Sequence, residues 1–364
     1  MDHRLLARRK SSAISTTPSD QKLREEKSAP YLSSLYETLL GLKGSYMANE
    51  LWGLASASQA LCWSLLKPRP VPSDILFRDE ILEMTRQGIH NMNEARLIKD
   101  ISRLIIPPVG MKYFNIITES VNEGWDGSIP LFGPCPQPDF SVGFKRGAFN
   151  RSQLARLSPF HGDFMGRNQS HFMATRYMYF PFLTCEVKCG ANALDIADRQ
   201  NAHSMTLAVR GVVELFRAAK RQEEIDREIL AFSVSHDPTS VRIYGHYPVM
   251  IGANTRYFRH LIHEFDFTEN EGQDKWTAYR FTKNVYNTWM PNHFKKICYA
   301  LEALPYTPEP DVPPLSEATR LMPALPLYPS SGAAGQAMPN SRQAVTPGGG
   351  VTPGGVTPGG CQVQ

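Results

Sequence analysis

Two absences shape the first reading of this chain: it has no long apolar run and no strong excess of charge. No uninterrupted apolar stretch approaches the roughly 20 residues that a membrane-spanning helix needs. The opening segment, MDHRLLARRKSSAISTTPSDQKLREEK, carries charge but no apolar core, which argues against a secretory signal. Cysteine is sparse: Cys62, Cys135, Cys185, Cys189, Cys298 and Cys361 are the six in 364 residues, and none forms a C-x-x-C pair. That spacing excludes a dense disulfide scaffold and an ordinary zinc finger, and it fits a reducing compartment. The net charge is only +4. Residues 1–30 hold 7 Lys+Arg against 4 Asp+Glu, and residues 305–364 hold 2 against 3, which leaves 31–304 with 30 against 28. The middle of the chain therefore lacks a broad basic surface, and any nucleic-acid chemistry must rest on a local site. G-x-S-x-G, H-E-x-x-H, P-loop and G-x-G-x-x-G patterns are missing too. Serine hydrolases, zinc metalloproteases, nucleotide-driven motors and Rossmann dehydrogenases thus have no support. The expectation is a soluble, intracellular chain with no membrane partner.

What is present is a folded middle between two tails. Residues 1–30 are rich in Ser, Lys and Arg without apolar periodicity, and disorder is expected there. Arg8-Arg9-Lys10 is a short nuclear-import candidate, which makes the nucleus the candidate location. Residues 305–364 contain 12 Pro and 9 Gly and end in VTPGGG-VTPGG-VTPGG, a repeat with nothing to bury, so a second disordered tail is expected. Residues 31–75 are Leu-rich, with Trp52 and Trp63, and read as a helical extension. A domain over 76–304 follows. Ser73-Asp74 caps an amphipathic helix there, with Ile81, Met84, Ile89, Leu97, Ile101 and Leu104 near helical spacing.

Farther on, 139–144 predicts a short strand, 145–175 a polar excursion, and 177–188 a strongly apolar central strand. A long helix is expected over 193–221, then a β meander at 229–235, 240–247 and 255–267. A last helix covers 274–304, interrupted at Pro291. This order predicts an α/β (α+β) fold with a mixed central sheet flanked by helices.

One constellation carries chemistry. Asp139 follows Pro138, and 47 residues later comes Glu186-Val187-Lys188. A D/E-x-K tripeptide alone says little, and Asp20-Gln21-Lys22 and Glu25-Glu26-Lys27 also occur, both in the N-terminal tail. Only the third ends an apolar strand. On a strand Glu186 and Lys188 share one face, while Cys185, Val187 and Cys189 share the other. Two charges on an otherwise apolar strand are costly unless solvated or paired, and a metal ion is a natural partner. Asp139 on a neighbouring strand adds a second hard-oxygen ligand of the kind Mg²⁺ takes. The bland alternative is an exposed edge strand whose charges pair loosely in water.

This arrangement resembles the PD-(D/E)XK nuclease superfamily with its restriction-endonuclease-like fold. The resemblance implies Asp139 and Glu186 as ligands of Mg²⁺ (or Mn²⁺), the Val187 carbonyl as a third, and Lys188 as the catalytic lysine. It further implies an acid from the preceding helix, for which Glu94 is the candidate, and a polar residue from the following helix, for which Gln200 is. The partner implied is nucleic acid, DNA ahead of RNA. Two features depart from that pattern: the long gap from Asp139 to Glu186 requires 145–175 to loop out of the sheet, and residue 204 is Ser where one exonuclease branch has Tyr. A wider resemblance spans about 76–304. The blocks PQPDFSVGF, YFPFLTCEVKCGANALDIADRQNAHSMTLAVRGVVELFR, SVRIYGHYPV and KWTAYRFTKNVYNTWMP are similar to a fungal family of uncharacterised proteins, which lends kinship rather than a reaction. The rival to a nuclease is a catalytically inactive module of the same fold that binds nucleic acid or a protein.

Several conspicuous residues read as structural. Cys185 and Cys189 are small core thiols, and His260 with His263 has the wrong parity for a metal pair on a strand. Asp195 and Asp198 suit the first turns of a helix. Trp276, Tyr279, Tyr286 and Trp289 are expected to pack inward, and the roles of Arg242, Arg256 and Arg259 stay open.

Overall fold

In a computed structural model of the chain, every side chain of the ten-residue strand Met178–Val187 is buried. The apolar run therefore marks a central strand, as expected, and the exposed-edge alternative does not hold. The structure describes residues 7–8, 29–51, 53–70, 98, 101–161, 169–189, 193–266 and 274–305. The expected disordered tails, apart from residues 7–8, 29–30 and 305, lie outside the described residues. So does the amphipathic stretch at 73–97, Glu94 included.

Six strands form one sheet, and their spatial order equals their chain order. They are β1 (Ile117–Val121), β2 (Phe140–Lys145), β3 (Met178–Val187), β4 (Ala231–His236), β5 (Ser240–Ile251) and β6 (Asn254–Asp266). All neighbours are antiparallel except β3 and β4, which are parallel. A parallel pair needs a long crossover. Among the helices α1 (Leu35–Leu42), α2 (Ser56–Leu65), α3 (Arg151–His161), α4 (Ala193–Ala218), α5 (Thr277–Asn284) and α6 (Met290–Glu302), it is α4 that makes this connection. The last helix expected from the sequence is two helices joined by a π turn, Val285–Trp289, and Pro291 sits in the first turn of α6, where its missing N–H costs nothing.

The 145–175 excursion does leave the sheet, but it is not simply polar. Asn150 and Gln153 cap α3 reciprocally: the Gln153 N–H donates to Asn150 Oδ1 at 2.9 Å, and the Asn150 N–H to Gln153 Oε1 at 3.0 Å. Leu157, Phe160 and Phe172 are then buried in the main core.

The two faces of the sheet differ in chemistry. On one, Phe232 packs edge-on to Phe281 and Trp289 at 5.4 and 4.9 Å, and Trp276, Tyr279 and Tyr286 are buried alongside, pointing inward as expected. The other face, covered by α4, is polar. Asn201 of α4 accepts a hydrogen bond from Thr184 Oγ1 at 2.6 Å and donates to Ser235 Oγ at 3.0 Å and to the Val234 carbonyl at 2.9 Å. Register continues this layer across the sheet, pairing Glu186 with Ser235, Ser235 with Arg242, and Arg242 with Glu264.

Close approach of α4 rests on Gly211. A Cβ there would stand 2.4 Å from the His171 carbonyl oxygen. Replacing a helical glycine by alanine ordinarily gains about 1 kcal/mol. Here a backbone atom blocks the methyl, so Gly211→Ala is expected to destabilise by about 1–3 kcal/mol, read as a lower urea midpoint. A raised midpoint would show that the 169–175 segment yields freely.

Candidate active site

Register assembles the site. The last ladder pair between β2 and β3 is Phe140 with Cys185, and one further step of the same register sets Asp139 opposite Glu186. Asp139 Oδ2 accepts the Val187 N–H at 2.8 Å, which fixes the carboxylate at the end of β3. Lys188 lies one residue past the strand, yet its N–H still reaches the His236 carbonyl at 3.1 Å. Its Nζ stands 3.8 Å from Asp139 Oδ2 and donates to the Val187 carbonyl at 3.0 Å. Asp139 and Glu186 are each 1% exposed and Lys188 6%. Taking such charges from water costs several kcal/mol per ion, so this grouping persists only because each side chain is held by others.

Of the six residues singled out from the sequence, Asp139, Val187 and Lys188 are joined by these contacts, and Glu186 is buried in the strand immediately before Val187. Gln200, on α4, is also buried, and its Oε1 has no hydrogen-bond partner among the described residues. Glu94 lies outside them.

A divalent ion fits this donor set. The two carboxylates and the second lone pair of the Val187 carbonyl are hard donors, and Mg²⁺ is commonly held by one or two carboxylates plus neutral oxygens and water. No group of three or more His, Cys, Asp and Glu side chains able to hold a metal occurs among the described residues.

Around it the interior is poised electrically. Burial lowers the His236 imidazole to about 4 against the opposing pull of the Asp237 carbonyl and the Asp139 charge. Its Nε2 lies 3.3 Å from Ser102 Oγ. His203 of α4, also driven to about 3 by burial, has Nδ1 within hydrogen-bond distance of two tyrosine hydroxyls, Tyr31 at 2.8 Å and Tyr36 at 3.1 Å, with Phe132 stacked on the ring. Burial raises both hydroxyls above their ordinary range.

Sequence reasoning missed Tyr31, Tyr36, Asn201 and His203. For Asn201 a signal existed: it sits four residues from both Ala197 and Met205, a polar side chain in the buried stripe of the helix.

A cleft of about 500 Å³ opens beside this region, lined by Glu37, Tyr46, Asp195, Asp198, Arg242 and Arg259 among others. Arg242 pairs with Asp195, Asp198 and Glu264, and Arg259 with Asp198, which also accepts the Tyr244 hydroxyl at 2.9 Å. Both arginines are thus spent on carboxylates. Asp195 and Asp198 are structural, as expected, though their partners are arginines more than the helix dipole. Cys185 is core, and burial pushes its thiol up.

The family described as Domain of unknown function (DUF7924) matches residues 81–301, more than half of the chain. The chain belongs to the DUF7924 family. No curated protein and no solved structure matches it. The DUF7924 match takes in all six strands, α3 to α5, all but the last residue of α6, and Asp139, Glu186, Val187, Lys188 and Gln200, and it leaves out α1 and α2 with Tyr31 and Tyr36. No helix among the described residues is long and apolar enough to cross a membrane.

Proposed function

We propose that the DUF7924 domain of this chain is a divalent-metal-dependent nuclease of the PD-(D/E)XK type, hydrolysing nucleic-acid phosphodiesters, DNA ahead of RNA. The observation that carries the reading is the convergence of Asp139, Glu186 and Lys188 at the buried end of a central strand. The mixed sheet with a helix following the motif supports it, since the resemblance implies both. Asp139 and Glu186 would hold Mg²⁺ or Mn²⁺ with help from the Val187 carbonyl. A bound ion there supplies Lewis-acid stabilisation of the charge that builds on the phosphate. Lys188 holds its ammonium beside Asp139, where it orients a water and offsets developing negative charge. Gln200, with its carbonyl oxygen open, positions a water hydrogen. Burial excludes bulk water, which strengthens each of these interactions.

The test is cleavage of labelled single- and double-stranded DNA and RNA by wild type, Asp139→Ala, Glu186→Ala and Lys188→Ala, with Mg²⁺, Mn²⁺ or chelator. Metal-dependent cutting is expected from wild type, falling at least about 10³-fold in each variant, the scale for loss of a principal electrostatic group. Cutting that survives Asp139→Ala overturns the assignment. The near-complete burial of the three side chains also favours a second reading, an inactive module that binds nucleic acid or a protein. Mn²⁺ binding by calorimetry without cleavage of any substrate would support it.

A further inference from the structure

At the end of the sheet away from Asp139, three segments meet around Lys145, the last residue of β2. β1 lies on one side and β3 on the other, with Phe144 paired to Ile117 and Lys145 to Met178. Just before β1, the short helix Met111–Tyr113 leads into Phe114. Lys145 Nζ donates to the Phe114 carbonyl at 2.6 Å and stands 4.0 Å from the centre of the Phe114 ring. Just before β3, the Arg176 guanidinium lies 4.6 Å from the centre of the Tyr177 ring. Arg146 follows Lys145, one register step from Tyr177, and its side chain hydrogen-bonds that of Tyr179.

The surface built this way carries one sign of charge. The stretches 110–117, 143–151 and 173–178 contain Lys112, Lys145, Arg146, Arg151 and Arg176 and no Asp or Glu. Among the described residues Lys112, Lys145, Arg146 and Arg176 meet no carboxylate, whereas Arg242 and Arg259 are each held by at least one. A local concentration of this kind is hidden in the near-even totals of the whole domain. The same surface is also apolar: Met111, Phe114 and Tyr177 are 89%, 62% and 59% exposed. A single exposed apolar side chain is ordinary. Two exposed rings, each with a cation on one face and the other face open, are less so.

Cations that neutralise phosphates and open ring faces on which bases stack are the two parts of a single-strand platform. Neighbouring strands stand about 4.8 Å apart, which sets β1 and β3, the strands that follow the two rings, about 10 Å apart across β2. That is the length of about three stacked nucleotides at roughly 3.4 Å each. A duplex keeps its bases stacked on one another and offers the rings nothing. An anionic bilayer would satisfy the charge, but it takes up apolar side chains that stand clear of cations, and here each ring lies against one. We propose that this end of the sheet binds single-stranded nucleic acid, with bases on Phe114 and Tyr177 and phosphates on Lys112, Lys145, Arg146 and Arg176. The proposal goes beyond the nuclease reading and does not depend on it, because Asp139 stands at the other end of β2, about 20 Å away at roughly 3.3 Å per residue.

The experiment uses the full chain in chelator, so that no ion fills the Asp139 site and nothing is cut. Fluorescence anisotropy gives the affinity for a short labelled DNA single strand, for RNA of the same sequence and for the DNA duplex, over a series of salt concentrations. The variants are Phe114→Ala/Tyr177→Ala and Lys112→Gln/Arg176→Gln, all at exposed side chains, which guards against misfolding. Wild type is expected to bind the single strands at least about tenfold more tightly than the duplex, and loss of the two rings to weaken that binding about tenfold or more, the scale of one lost base stack. Loss of the two cations is expected to flatten the slope of log affinity against log salt by about 1.4, or roughly 0.7 for each phosphate contact on a single strand. Single-strand binding that neither variant alters overturns the platform and leaves the Asp139 site untouched. Equal affinity for the duplex overturns it as well, as does binding to phosphatidylserine vesicles in place of nucleic acid. A wild type that binds no strand overturns it too, whatever is cut in Mg²⁺.

Discussion

Lys188→Met is expected to cost about 3–5 kcal/mol of stability in chelator, the loss found when one partner of a buried ion pair is removed. The methionine fills much of the lysine stem's volume, so packing changes little. What goes is the positive charge 3.8 Å from Asp139, beside a second carboxylate one register step away, both nearly inaccessible to water. If these oxygens form a divalent-ion site, saturating Mg²⁺ or Mn²⁺ restores much of the loss, because an ion that binds only the folded state stabilises it in proportion to the logarithm of its concentration over Kd. Wild type, with Lys188 already in place, gains less from the same ion. The check is a denaturant midpoint for each chain in chelator and in metal. An unchanged midpoint for Lys188→Met in chelator would mean that the lysine charge does not hold these carboxylates in place.

Acidification is expected to unfold the protein steeply, with a midpoint near pH 5. Burial holds His171, His203, His246 and His293 at about 3 and His236 at about 4, so all five are neutral in the folded chain. In the unfolded chain they take up protons near the ordinary value of about 6.5. The unfolded state therefore binds more protons between about 6.5 and 4, and stability is lost as pH falls through that window, with no contribution above it. Each fully differential proton is worth about 1.4 kcal/mol per pH unit, so five amount to roughly 7 kcal/mol per unit against a total of about 5–15 kcal/mol. Near-ultraviolet circular dichroism against pH, with proton uptake by titration, tests this. A chain still folded at about pH 4 would mean these imidazoles find acceptors on protonation.

How much of this was legible in the sequence depended on the range of the interactions. The 177–188 run announced a central strand because a strand buried on both faces has no polar alternation to confuse it. Asp139 and Glu186-Val187-Lys188 stood out for the same reason, as charges where the pattern allowed none. The inward turn of Trp276, Tyr279, Tyr286 and Trp289 followed from helical spacing. The helix Arg151–His161 falls inside the stretch expected to be a polar excursion, although its signal is local, in the Asn150–Gln153 capping pair. The docking of residues 31–45 on α4 was hidden for a deeper reason. Tyr31 meets His203 across 172 residues, and Ser45 meets Thr206 across 161, and pairings of that span leave no mark on either segment alone.

That separation has a consequence for how the molecule is made. Tyr31 leaves the ribosome well before the imidazole it docks on, which is synthesised 172 residues later. At roughly 5–20 residues per second, that is a wait of about 10–35 s. Throughout it Tyr31, Tyr36 and Leu40, all buried in the folded chain, have no native surface to cover. The helix that receives them must first cross between two parallel strands, the second of which is made later still. Residues 31–42 are thus made long before the surface that holds them, and they are among the last to find their place.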